Sequence, residues 1–219
     1  MKNIKIFLLF VFLILITSFA FGQQSKGKDL AQAEKKGNLI PSDCLLRVFQ
    51  DKSGIFFVHY SIEPKKISFL SYENKYSVNF TLNGMITDSK GNTVFQYEKT
   101  FPLELTQEQV EDVQKTSIAL QDLVPLIAGD YKFQLLLKNT VSKEFTSFES
   151  AVSVPQDLST LEISPLLLGY RLKKDFSSPD VNRPFKIGID QIACQAENTF
   201  QAKENLIVFF QIYGLSKEV

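Results

Sequence analysis

The chain has 219 residues, with 24 Lys+Arg against 24 Asp+Glu and a formal charge of zero. That balance argues against a nucleic-acid binder, which would normally carry a basic excess. A hydrophobic content of 44% belongs to globular rather than disordered chains, and one His, two Cys and no Trp leave little material for a Cys/His zinc site or a His-dependent triad.

Met1 to Lys5 is a short basic segment, Ile6 to Ile16 is unbroken apolar, and Ala20 and Gly22 stand at −3 and −1 of a cut before Gln23. This three-part layout is that of a secretory signal peptide over residues 1–22. The apolar run is shorter than the ~20 residues that span a bilayer. Cleavage is therefore expected to leave an exported, periplasmic or secreted chain with no stable membrane span. Residues 23–40 are polar and free of aromatics, and read as a flexible leader.

From Pro41 the pattern becomes β. Cys44–Phe49 and Ile55–Ile62 read as strands joined by the Asp51–Gly54 turn, with Pro64 closing the hairpin. In Tyr76–Thr87 the residues Tyr76, Val78, Phe80 and Leu82 share one face, the period of a half-buried strand, and Gly84 is the expected site of a bulge. A turn over Asp88–Asn92 leads to a returning strand, Thr93–Phe101. Thr106-Gln-Glu-Gln109 fits a capping box, so a helix begins there and fades by about Lys115, with Thr116–Leu120 extended. Ala128–Lys138 and Phe145–Val154 complete about seven strands with turn signals between them. Residues 41–156 are thus expected to form an immunoglobulin-like antiparallel β-sandwich.

Pro155 to Pro165 reads as a boundary, with Leu161 and Ile163 expected to pack on the preceding domain. Residues 157–219 form a second β unit, with strands at Leu166–Leu172, Phe185–Ile192 and Leu206–Tyr213. Three or four strands do not close a sandwich of about seven. The unit is expected either to be truncated, the preferred reading, or to close against something else. Leu206–Tyr213 carries no charge and no Pro and needs a paired neighbour. The expectation is an incomplete sheet that leans on the first sandwich, exposes apolar surface and self-associates, whereas a chain ending near Gln156 is monomeric.

Chemistry-bearing patterns are sparse. His59 lies in an apolar strand and is read as facing solvent or satisfied near the core. Asp51-Lys-Ser53-Gly-Ile55 begins like a metal loop, but Ile55 stands where a ligand is required. No phosphate loop, nucleophile elbow or His-Glu-x-x-His motif occurs. Glu108, Glu111 and Asp112 suit a helix start, and Asp157, Glu162, Asp175 and Asp180 have no calcium-loop spacing. Cys44 and Cys194 are an even pair in an oxidising compartment, which allows a disulfide. Two buried free thiols is the plainer reading, since spacing does not fix connectivity. No catalytic, cofactor-binding or metal-ligating residue is assigned.

Ala128-Gly-Asp-Tyr-Lys-Phe-Gln-Leu-Leu-Leu, Phe148-Glu-Ser-Ala-Val-Ser-Val-Pro155 and Leu161-Glu-Ile-Ser-Pro-Leu-Leu-Leu168 resemble the β-rich repeats of bacterial exported proteins that carry GWxTD or von Willebrand factor A-related domains. Asn205–Leu215 is similar to the strand that opens the next repeat. The resemblance implies an extracytoplasmic bacterial protein with immunoglobulin-like modules and supplies no catalytic residues. Trp is absent, so the naming motif itself is not in the chain. The function expected is a non-enzymatic module that binds or scaffolds protein partners, or a continuation of its own chain, in the cell envelope. The alternatives are a carbohydrate-binding module using Tyr60, Tyr72, Tyr76, Tyr97 and Tyr131, or an accessory domain of an enzyme whose catalytic part lies beyond residue 219. Catalysis by this chain itself would have to use carboxylates such as Glu63, Glu73 or Glu98.

Overall fold

The computed structural model describes residues 39–176, 182–203 and 205–214. The export signal, the leader through Asn38 and Asp180 lie outside the described residues. The described residues from Ile40 onward form one compact unit. In chain order the elements are β1 (Ser42–Gln50), β2 (Phe56–Pro64), β3 (Leu70–Tyr72), β4 (Lys75–Asp88), β5 (Thr93–Leu105), α1 (Gln107–Thr116), β6 (Leu120–Leu126), β7 (Gly129–Asn139), β8 (Phe145–Val154), β9 (Glu162–Ile163), β10 (Leu167–Lys174), β11 (Lys186–Ile187), β12 (Asp190–Cys194), β13 (Ile207–Phe209) and β14 (Ile212–Tyr213). All pairings are antiparallel, so the chain is all-β with one helix.

The N-terminal strands make a two-sheet sandwich. One sheet has the order β1-β2-β6. In the other, β4 pairs with β5 along one edge and with β7 along the opposite edge, and β8 follows β7. The short β3 extends the β7 edge. Val78, Phe80, Leu82 and Ile86 of β4 meet Val58, Tyr60 and Ile62 of β2, with Phe133, Leu135 and Leu137 of β7 alongside. This is the immunoglobulin-like core that the alternating strands imply.

A third layer covers the outer face of β1-β2-β6. It is a four-stranded sheet of order β11-β12-β10-β13. Leu45 and Phe49 of β1 share a second core with Leu167, Phe185, Ile192 and Cys194, and Phe209 packs on it. Strand β2 is therefore buried on both faces, and from Phe56 to Ile62 its burial does not alternate: the polar His59 and Ser61 are buried with their apolar neighbours. The C-terminal strands use the first sandwich as their second layer.

Several elements differ from the sequence reading. Ile40, placed in the leader, is buried and donates its N–H to the Phe145 carbonyl at 2.8 Å. No bulge occurs at Gly84; the register shift falls between Ile86 and Thr87, one turn of the pleat nearer the strand end. The sixth strand is Leu120–Leu126, not Thr116–Leu120, because the helix runs to Thr116. Leu161 and Ile163 stay exposed, since β9 pairs with β14 and turns them outward. Phe185–Ile192 is a tight hairpin rather than one strand. Leu206–Tyr213 divides in two, β13 pairing with β10 and β14 with β9.

Candidate functional site

His59 sits on the face of β2 that meets the third layer and is only 5% exposed. Its Nδ1 accepts the Phe185 N–H at 2.9 Å. A neutral imidazole that accepts at Nδ1 carries its proton on Nε2. Burial holds the imidazole down at about 4, so it is neutral at pH 7. Phe49, Phe57 and Phe185 surround the ring at 5.6, 6.5 and 5.7 Å between centroids. Phe185 has φ 54, a left-handed backbone costly for a bulky residue. Its buried ring and its bond to His59 hold it there.

His59 opens on a cleft of about 280 Å³ between the β1–β2 turn and the β11–β12 hairpin, lined also by Lys52, Phe57, Lys186 and Ile187. The Lys186 side chain is 2% exposed and pairs with Asp175 at 3.2 Å, which also pairs with Arg183 at 3.3 Å. On the rim, Asp51 Oδ1 accepts the N–H groups of Ser53 and Ile55, and Oδ2 accepts Asn182 Nδ2 at 3.4 Å. Gln50 and Gln211 exchange two bonds of 2.7 Å, Gln50 N–H to Gln211 Oε1 and Gln211 Nε2 to the Gln50 carbonyl. Asp51, the Gln211 side-chain oxygen and the Gln50 carbonyl thus each accept from an internal donor.

A second surface lies on the outer face of the third layer. Leu168 and Val208 are directly opposite across β10 and β13, and Leu166, Tyr170, Leu206 and Phe210 share their side by the pleat's alternation. Leu206 and Val208 are 57% and 49% exposed. Among the described residues β13 pairs only with β10, so its other edge offers unpaired backbone groups.

The remaining sequence candidates are scattered. Tyr60 is fully buried, donating to Asp122 Oδ2 at 3.2 Å and accepting from the Tyr97 hydroxyl at 2.7 Å. Burial pushes both phenols upward and keeps them protonated. Tyr131 bonds the Ile127 carbonyl, and of the five tyrosines only Tyr72 is classed exposed. They form no shared ring face. Glu63 is held between layers, accepting the Ala196 N–H at 3.0 Å, while Glu73 sits in the β3–β4 turn and Glu98 on the β5 edge.

Cys44 and Cys194 are free. Cys44 packs toward the first core and Cys194 lies in the second, on opposite faces of β1-β2. Burial pushes both thiols up to about 12. Lys186 and Phe185 escaped the sequence reading; a lysine flanked by apolar residues in Phe185-Lys-Ile-Gly was the available signal. Among the described residues no group of three or more His, Cys, Asp or Glu is placed to hold a metal, and no helix is long and apolar enough to cross a membrane. No protein-family model matches this chain, and no protein of curated function matches it in sequence.

Proposed function

We propose that the chain is an exported, non-enzymatic β-sandwich module of the bacterial envelope that binds a protein partner through its third layer. One observation carries this reading: the apolar outer face of β10 and β13 ends at an edge strand whose backbone groups have no partner among the described residues. Such an edge accepts an added strand, the backbone giving affinity and the alternating side chains giving selectivity. Contiguous apolar surface of this kind marks interaction sites on soluble proteins. The signal-peptide layout at residues 1–22 and the resemblance to exported GWxTD-type repeats support the compartment.

Leu168 and Val208 belong to neither core, so changes there act on the outer face of the third layer. Envelope extract passed over the protein and over the L168K/V208K variant decides the reading. A partner held by the first and lost from the second, with unchanged circular dichroism, is expected. Recovery of the same proteins by both would remove the third layer as the binding face.

A further inference from the structure

We propose that the partner segment held by the third layer is a strand with apolar side chains along one side and carboxylates on that same side at its C-terminal end. This rests on the third layer being the binding face, and adds the chemistry and direction of what binds there. The first support is how the outer face is divided. Leu168 lies opposite Val208, while their neighbours Leu167 and Phe209 turn into the second core. Further along β10, Leu172 lies opposite the buried Ile192, so Arg171 and Lys173 point the other way, onto the outer face that Leu168 shares. That face of β10 thus presents apolar side chains first and two cations after them.

The second support is that these cations are uncommitted. Asp190, across from Lys174, pairs with that lysine. Arg171 and Lys173 are exposed and make no ion pair among the described residues. They stand two positions apart, ~7 Å along the strand, and carboxylates two positions apart on an added strand repeat at the same interval. The third support is where β13 stops. It pairs with β10 only from Leu167 to Gly169, and among the described residues no strand lies beside Tyr170 to Lys174 on that side. A strand that pairs with the open edge of β13 and runs on past Ile207 reaches the level of Arg171 and Lys173. Two strand spacings, ~9.6 Å, then separate it from β10, a gap that a long cationic side chain and a glutamate span together. Antiparallel pairing is the more stable per residue and is the pairing of every strand in this chain. A strand antiparallel to β13 runs in the direction of β10, which puts its carboxylates at the C-terminal end. Matched charge there sets register and selects against other strands.

The probe is a fluorescent, end-blocked peptide, Thr-Val-Thr-Val-Thr-Glu-Thr-Glu, titrated with the protein at pH 7 and followed by anisotropy. The controls are the same peptide with both Glu replaced by Lys, and the sequence in reverse order. The Glu peptide should bind about tenfold tighter than the Lys peptide, the scale of two exposed charge contacts, and tighter than the reversed one. R171E/K173E should invert the preference between Glu and Lys peptides, and L168K/V208K should weaken both. Equal affinity of the natural chain for the Glu and Lys peptides, or no binding of either, would overturn the inference without needing any variant. Loss of the extract partner in L168K/V208K would then still uphold the third layer as the binding face. Two further results would also overturn it by giving the face another occupant. One is a dimer in sedimentation that L168K/V208K abolishes; the other is binding to phosphatidylglycerol vesicles that R171E/K173E abolishes, with no peptide bound.

Discussion

At the scale of single residues, His59 ties proton binding to the join between layers. Protonation must place a hydrogen on Nδ1, where the Phe185 N–H already points, so the charged ring cannot keep that bond. The folded imidazole titrates at about 4, against an ordinary 6.5 in the unfolded chain. Between these values the unfolded state binds the proton and the folded state does not, so stability falls as pH falls. The contribution is full above about 6.5, is lost progressively toward 4, and changes no further below it. The shift corresponds to ~3 kcal/mol. Urea midpoints at pH 7, 5.5 and 4 should therefore decline more steeply for the natural chain than for His59→Asn. The Asn carboxamide oxygen can accept the Phe185 N–H without titrating. Parallel pH profiles for the two proteins would show that another group governs acid unfolding.

At the scale of elements, β4 and β5 are locked by a missing side chain. Gly84 and Tyr97 are directly opposite, and a methyl at Gly84 would fall inside the Tyr97 ring. The ring lies over the glycine and aims its hydroxyl at Tyr60 in the facing sheet, continuing to Asp122, which pairs with Lys99. Gly84 is thus where one sheet's edge reaches through to the other. Gly84→Ala should cost about 2–3 kcal/mol, the scale of overpacking with loss of a buried bond. Tyr97→Phe should cost about 1 kcal/mol, since the ring still fits and only its hydroxyl goes. Equal midpoints for Gly84→Ala and the natural chain in urea unfolding would remove this role.

The same strands show what local sequence carries. β4 and β7 are legible because Val78, Phe80 and Leu82, and Phe133, Leu135 and Leu137, repeat every second residue. The helix is legible because Thr106 and Gln109 exchange both capping bonds. β6 is obscured by Asp122 and Pro125, which read locally as breakers. Asp122 is matched by Tyr60 and Lys99, and Pro125 is tolerated because β6 is an edge strand needing no donor on its open side. The cleft is less legible still. His59 and Phe185 are 126 positions apart, and no pattern within either strand announces the bond between them.

At the scale of the whole molecule, the decisive fact is that three layers share two cores. From sequence, a chain ending near Gln156 looks self-sufficient, since its strands are enough to close one sandwich. The structure gives β1 and β2 a second apolar face that only the third layer covers. Leu45 and Phe49 are 2% and 1% exposed, and their neighbours in the second core come from residues beyond Gln156. Tyr213 also enters the first core, edge-on to Phe56 at 5.5 Å. Ending the chain at Gln156 uncovers these side chains at about 1.5–3 kcal/mol each. It also leaves His59 without the Phe185 N–H. The shortened chain should unfold at lower urea, bind a hydrophobic dye and scatter light as an oligomer. A pair of substitutions separates this cause from general fragility. L45T/F49T should destabilise the whole chain, because both residues are core there. In the shortened chain the same pair should reduce dye binding and scattering, because both are surface there. If the shortened chain is a clean monomer that binds no dye, the outer face of β1–β2 does not depend on the third layer for its cover.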